Sequence, residues 1–172
     1  MAMTVVAEEL TGTGPTSTAV SSVTFNRVDS INGTTPIPVP SVNTLFSWIK
    51  SFKINITVTG GLTMTNVLFG KRTNEAAGLK YWHVTSHATY TQATATPAGT
   101  AGNNAVGPSM NGATGTLLPL ITAPPSAYAA GPYTTTGQHG NFVEVCVGVD
   151  PTVTQTGAAV ALPNMVWQWS EA

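Results

Sequence analysis

Apolar and polar residues alternate along several short stretches of the chain, as they do in β-strands whose two faces meet different surroundings. The longest alternation covers residues 46–58 and is interrupted at Lys50. Two glycines, Gly60-Gly61, follow it, and residues 62–69 then alternate again. This order predicts a β-hairpin with a two-residue turn, with a bend or bulge near Lys50.

Further stretches carry the same signal at residues 79–91, 141–150 and 165–171, and a weaker one at residues 20–28. No stretch repeats with the period of 3.6 residues that an amphipathic helix requires. We therefore expect an all-β domain over residues 21–172, built as an antiparallel β-sandwich or jelly roll.

The apolar residues of the alternating stretches should form the core of that domain. Trp82 is expected to point inward, which would leave His83 and His87 on a solvent face. A pair of tryptophans on one strand face could instead stack against a sugar, but packing into the core is the favoured interpretation. The predicted core residues are Trp48, Ile54, Ile56, Val58, Trp82, Val145, Val147 and Trp167.

The remaining segments read as an arm and as loops. Residues 1–20 show no sustained period, and the glycines and proline at 12–15 would break a helix, so we expect an N-terminal arm that is disordered or ordered by a partner. Residues 92–140 are rich in Ala, Gly, Thr and Pro, which favours long loops. The candidate contact residues for a partner or a neighbouring subunit lie in the arm and are Val5, Val6, Leu10 and Thr11.

Charge is scarce in this protein. Among 172 residues there are six Lys or Arg and seven Asp or Glu, so 8% are charged where about 25% is usual. Residues 81–143 contain no Asp, Glu, Lys or Arg at all. Two interpretations fit equally well: an outer surface that is polar through Thr, Ser and Asn, or a surface largely covered by neighbouring molecules.

The charge pattern also bears on the class of partner. Five cations gather between residues 50 and 80, but a lysine-protected sheet edge explains them better than a phosphate contact. We therefore predict no nucleic-acid partner. No apolar run is long enough to span a membrane and the first residues lack the features of a signal peptide, so we expect synthesis in the cytoplasm and no membrane partner.

Reactive groups do not form a recognisable site in the sequence. The single cysteine, Cys146, lies in a predicted strand and is expected to be a small packed residue. On a strand, His83 and His87 would lie about 13 Å apart, too far to share a metal ion. His139 falls in a predicted loop, and no nucleophile elbow, phosphate loop or zinc pattern occurs. We predict no catalytic, metal or cofactor site.

The order of segments resembles a group of small structural proteins from tailed bacteriophages. The similarity begins with "TPIPVPS" and "FSWIKSFKINITVTG", continues through "LTMTNVLFGKR" and "GLKYWHVTSHATYTQATATP", and closes with "NFVEVCVGVD" and "MVWQWSE". It covers residues 36–172. Gly70 departs from it, because the family usually has an aromatic residue after the position of Phe69.

The resemblance implies a virion structural protein, with a capsid decoration (cement) protein as the leading expectation. Such a protein would bind the major capsid protein and its own copies, with a trimer favoured, and would lie on the outer capsid surface. The arm would then attach to the shell, and deleting residues 2–18 would leave a folded domain. The alternative is a receptor- or glycan-binding module of a head fibre or tail, which would use the loops of residues 92–140.

Overall fold

The computed structural model describes residues 2–31, 35, 37–97, 107–119, 121, 128, 131–153 and 165–172. Over these residues the protein is built from β-strands and contains no helix. The strands are β1 (Thr4–Thr11), β2 (Thr16–Ala19), β3 (Leu45–Phe46), β4 (Lys50–Val58), β5 (Met64–Lys71), β6 (Leu79–His87), β7 (Ser109–Met110), β8 (Ala113–Thr114), β9 (Thr116–Leu117), β10 (Gly137–Val149) and β11 (Met165–Glu171).

The strands form one large sheet and two small ones, and every pairing is antiparallel. The large sheet has seven strands in the order β2-β1-β4-β10-β6-β9, with β3 pairing with β10 beyond the end of β4. The small sheets are β11-β5 and β7-β8, and none of the three sheets closes into a barrel. The prediction of an all-β, antiparallel protein is confirmed.

Residues 4–19 belong to the large sheet, so the expectation of an amino-terminal arm is wrong. β1 pairs with β4 from Thr4 to Leu10, and β2 pairs with β1 on the other side. The segment looked irregular because its strands carry acidic and small polar residues instead of alternating apolar ones. Its glycine-containing stretch, residues 12–15, is the turn of a hairpin.

The hairpin predicted at Gly60-Gly61 does not form, although the turn does. Both glycines have positive φ, 62° and 83°, and Leu62 N–H donates to the Thr59 carbonyl across 3.0 Å. β4 and β5 nevertheless lie in different sheets. The reason is that β1 and β10 already occupy the two edges of β4, so the chain must leave the sheet after the turn.

The main core lies between the large sheet and the sheet of β5 and β11. β4 contributes Ile54 and Ile56, which are fully buried, and β10 contributes Val143 and alternate residues after it. Met64, Val67 and Phe69 of β5 close the same cluster from the other side. A second cluster, on the opposite face of the large sheet, contains Phe46, Ile49, Trp82, Val84, Ala93, Met110 and Cys146.

Most of the predicted core residues are buried. Ile54, Ile56, Trp82, Val145 and Val147 are each less than 9% exposed. Trp48 and Trp167 are half-buried and pack against the edges of the two clusters. Val58 is 40% exposed, so its placement in the core is wrong; it is the last residue of β4, where the chain turns away.

The strand predicted over residues 46–58 is interrupted at residues 47–49, next to Lys50, where the sequence predicts a bend or bulge. Ser47 N–H donates to the Val147 carbonyl, and Ser47 Oγ accepts from Val147 N–H across 2.9 Å. Trp48 N–H instead donates to the Asn26 carbonyl. A serine side chain thus replaces one ladder partner, and the strand divides into β3 and β4.

The long loops predicted for residues 92–140 lie partly outside the described residues, at 98–106, 120, 122–127 and 129–130. In the described part, β7 and β8 form a small hairpin and β9 joins the large sheet beside β6. Leu118 N–H donates to the Tyr81 carbonyl and the Leu118 side chain is buried. This polar, glycine-rich region therefore also covers the core.

The packing around β5 explains why position 70 is a glycine. A Cβ at this position would lie 2.6 Å from Ile121 Cγ1 and 2.7 Å from the Pro119 carbonyl oxygen. The segment containing these residues is held by Lys71, whose N–H donates to Pro119 and whose carbonyl accepts from Ile121. An aromatic residue at position 70 would require this segment to move.

We predict that Gly70→Ala destabilises the protein by about 1 to 3 kcal/mol, as overpacking against backbone does. The matched control is Gly14→Ala, because Gly14 has open space where a Cβ would lie. Urea unfolding of both variants measures the difference. Equal stabilities of the two variants would contradict the close packing at Gly70.

Candidate functional site: the amino-terminal hairpin

A buried ion pair fixes the amino-terminal hairpin, β1 and β2, to the rest of the sheet. Lys50 Nζ lies 2.6 Å from Glu9 Oε1, and the two side chains are 1% and 0% exposed. Lys50 also donates to the Ser30 carbonyl. Glu9 lies opposite Phe52 in the β1–β4 ladder, so its carboxylate points toward the main core.

Burial raises the pKa of Glu9, although the hydrogen bond and the charge of Lys50 act to lower it. The carboxylate of Asp29 adds a further, unfavourable charge nearby. Glu9 Oε2 has no hydrogen-bond partner among the described residues. The pair is therefore costly to bury, and removing one member would leave the other charge uncompensated.

The neighbouring residue, Glu8, points to the opposite face and links four strands. Its carboxylate accepts from Ser17 Oγ of β2, from Asn55 Nδ2 of β4 at 2.6 Å and from Gln138 Nε2 of β10 at 2.6 Å. Partial burial alone would raise the pKa of Glu8, but the three hydrogen bonds together lower it. The hairpin is thus anchored on both of its faces.

The turn of the hairpin is held by Asp29. Its Oδ2 atom accepts from Gly12 N–H across 3.3 Å and from Gln92 Nε2 across 2.5 Å. Gly12 has a φ of 81°, which a residue with a side chain rarely adopts. The loop before β3 and the segment after β6 thereby fix the position of the turn.

The predicted contact residues do not form a free surface. Val5, Val6 and Thr11 are half-buried in β1, and Leu10 is 5% exposed, which contradicts its assignment as a contact residue. All four residues of β2 are exposed instead. Sequence reasoning missed β2 because "TSTA" lacks apolar alternation; the glycine-containing turn before it was the available signal.

A second buried carboxylate, Glu144, lies under the β7–β8 hairpin. Asn111 Nδ2 donates to Glu144 Oε1 across 2.7 Å, and His87 Nδ1 is 3.1 Å from the same oxygen. Burial raises the pKa of Glu144, against the effects of Asn111 and His87. Asn111 also donates to the Thr91 carbonyl. The hydrogen bonds of Asn111 therefore hold the β7–β8 hairpin over the second cluster.

The two histidines of β6 lie on opposite faces, so the prediction of a shared solvent face is wrong. A register shift between Phe142 and Glu144 rotates the end of β6 and brings His87 beside Glu144. His83 contacts Phe69, with ring centroids 6.4 Å apart, on the side of the main core. Burial lowers the pKa of His83, against the hydrogen bond with the Thr116 carbonyl.

The other reactive or aromatic candidates take part in packing. Cys146 is buried, with Sγ 3.9 Å from Met110 Sδ, and burial raises the pKa of its thiol. The Trp167 ring lies 4.6 Å from Phe69 and 4.7 Å from Tyr128, between centroids. Within the described residues no group of three or more His, Cys, Asp or Glu could hold a metal ion.

Much of the protein's charge lies inside it. Thirteen residues are Lys, Arg, Asp or Glu, and five of them are less than 10% exposed. The outer surface of the described part is therefore even less charged than the composition indicates. The five are Glu9, Lys50, Lys71, Glu144 and Asp150.

Comparisons with protein-family models, with curated proteins and with solved structures gave no match. In the described part of the chain, no helix has the length and hydrophobicity needed to cross a membrane.

We predict that Lys50→Met destabilises the protein by about 3 to 5 kcal/mol, because it leaves Glu9 buried without its counter-charge. The double variant Glu9→Leu/Lys50→Met should recover most of that loss. Lys53→Met is the control: Lys53 stands over the Phe142 ring at 4.1 Å, and its loss should cost about 1 kcal/mol or less. Urea unfolding of the four proteins tests this, and a double variant no better than Lys50→Met would contradict it.

A second prediction concerns pH. Because the pKa of Glu8 is lowered by folding, its carboxylate stabilises the folded state above the unfolded pKa, and this stabilisation disappears as pH falls through the folded pKa. Glu8→Gln removes this contribution. The difference in unfolding free energy between wild type and Glu8→Gln should therefore shrink on acidification from neutral pH, and a difference independent of pH would contradict the network.

Proposed function

We propose that the protein is a structural component of a tailed-bacteriophage virion, and specifically a capsid decoration (cement) protein. Its domain would be a β-sandwich or jelly roll that binds the outer shell and bridges neighbouring capsomers. The proposal assigns it no enzymatic activity and no cofactor. Its partners would be the major capsid protein and its own copies, with a trimer favoured.

The observation that carries the proposal is the position of the charges. Five of the thirteen charged residues are enclosed, and the exposed strand residues of the hairpin are Thr, Ser and Ala. A protein that must stay dispersed as a monomer normally keeps its charges on the surface. A weakly charged surface instead suits a protein packed at high density against its own copies, because repulsion between neighbours is small.

Two features support the sandwich interpretation. The main core joins residues of the large sheet to residues of β5 and β11, as in two facing sheets. The turn at Gly60-Gly61 carries the chain from the first of these sheets to the second. Crossing between sheets is the usual connection in sandwiches and jelly rolls.

The proposed mechanism is mechanical. A subunit that contacts two capsomers adds buried contact area, and a capsomer can leave only after that contact is lost. The firmly anchored hairpin, and not a flexible arm, is the amino-terminal element available for such contacts. Deletion of residues 2–18 would remove β1, expose the edge of β4 and leave Lys50 without its counter-charge, so we expect that the truncated domain does not fold.

The second candidate is a receptor- or glycan-binding module of a head fibre or tail. The region between residues 92 and 140 favours it, because its described part presents Thr114, Thr116 and Leu117 at the surface, with Leu117 39% exposed. Such polar side chains beside an apolar one could contact a sugar. Attachment would then reside in this region and not in the hairpin.

Cryo-electron microscopy of virions carrying a tag after the exposed Ala172 tests the proposal. A copy number that matches the capsomers, with density on the outer shell, is the expected result. Density confined to a tail or head fibre would support the second candidate, and absence of the tagged protein from virions would overturn both. Attachment should also change little with salt, because few exposed charges are present to be screened.

A further inference from the structure

The outer edge of β2 is open and lacks the features that usually prevent edge-to-edge pairing. β2 is the outermost strand of the large sheet, and its four residues are exposed. It contains no charged residue and no proline, and its register with β1 has no bulge. In other proteins, charges, prolines or bulges commonly protect a sheet edge from pairing.

The longer edge strand β5 is not open in the same way, because Met64 and Lys71 already bond to Tyr133 and Pro119 on the edge that faces away from β11. β9 consists of only two residues. β11 carries Glu171, and its register with β5 shifts between Gln168 and Ser170. Compared with β5, β9 and β11, β2 is the edge better suited to accept another strand.

The hydrogen-bonding register shows which groups of β2 face outward. Val20 N–H donates to the Ala7 carbonyl, and hydrogen-bonded pairs alternate along an antiparallel ladder. With the register Glu9↔Thr18 and Thr11↔Thr16, the N–H and C=O groups of Thr16 and Thr18 point toward β1. Those of Ser17 and Ala19 point away from the sheet.

We propose that this edge pairs antiparallel with the same edge of a second copy of the protein. Only a register centred on Thr18 uses all four outward groups of each strand. Ser17 of one copy then exchanges two hydrogen bonds with Ala19 of the other, and Ala19 exchanges two with Ser17. Thr18 meets Thr18 of the second copy as a non-hydrogen-bonded pair, with Cα atoms about 4.5 Å apart.

The absence of charge on β2 and the firm anchoring of the hairpin favour a second copy of the protein as the partner of this edge. Two copies of a neutral Thr-Ser-Thr-Ala strand meet without like-charge repulsion, and directly opposed threonines are a favourable cross-strand pair. Two carboxylates of β1 lie opposite residues of β2, and both already have partners: Glu8 is bonded to Ser17, Asn55 and Gln138, and Glu9 is paired with Lys50. These bonds and the Glu9–Lys50 pair hold the edge in place, so pairing requires little ordering of the chain.

The size of the contact limits its strength. Four residues bury much less than the roughly 1,200 Å² of a small stable interface, so the association should be weak in dilute solution. It would become effective where copies are held close together. The contact is two-fold, so in the trimer proposed above it would join copies of different trimers. The inference itself does not depend on the virion assignment.

Cysteine cross-linking tests the register. Thr18→Cys should form disulfide-linked dimers under mild oxidation, because Cα atoms about 4.5 Å apart fall within disulfide range. The rate should exceed that of the exposed control Thr73→Cys by roughly tenfold, since pairing raises the effective thiol concentration. The native Cys146 is buried and is shared by both variants. Equal rates for the two variants would overturn the proposal.

A backbone variant tests the hydrogen bonds. Ala19→Pro in the Thr18→Cys protein removes an outward N–H and keeps the hydrogen bonds between β1 and β2. It should lower the cross-linking rate to that of Thr73→Cys. An unchanged rate would overturn the centred register. Should Ala19→Pro unfold the hairpin, amide exchange in the wild type decides: exchange at Ser17 and Ala19 must slow as protein concentration rises, and exchange independent of concentration would contradict the pairing.

Discussion

The buried pair of Glu9 and Lys50 is the interaction on which the arrangement of the large sheet depends. It places a lysine with 1% exposure and a glutamate with none against each other in the main core. Such a pair adds little stability compared with apolar residues of the same size, but it penalises every arrangement that separates its members. In its observed place beside β4, β1 brings Glu9 to Lys50.

That placement determines the path of the rest of the chain. With β1 on one edge of β4 and β10 on the other, no edge remains for the strand after Gly60-Gly61. β5 must pair elsewhere, and it does so with β11. The two sheets then enclose the main core, and the far edge of the amino-terminal hairpin becomes one of the two outer edges of the large sheet.

The alternation of apolar and polar residues correctly predicted the strands that have one apolar face. It failed to predict the strands without an apolar face, β1 and β2. Ile54, Ile56, Val145 and Val147 alternate regularly because one face of their strands is buried in the main core. β1 and β2 show no such alternation. Glu8 and Glu9 are stabilised by partners that are far away in the sequence, and a local pattern does not reveal them. The same limitation affected His87, whose position depends on a register shift, and the hairpin at Gly60-Gly61, whose pairing depends on which edges are already occupied.

Residues 4–19 are part of the folded sheet and hold its outer edge in a fixed position. Amide hydrogen exchange of the full chain at low concentration tests this placement most directly. The ladder register predicts that the N–H groups of Val6, Glu8 and Leu10 bond to β4, so their exchange should be as slow as that of the central residues of β4. Exchange of these amides at the rate of an unstructured chain would contradict the placement of residues 4–19 in the sheet.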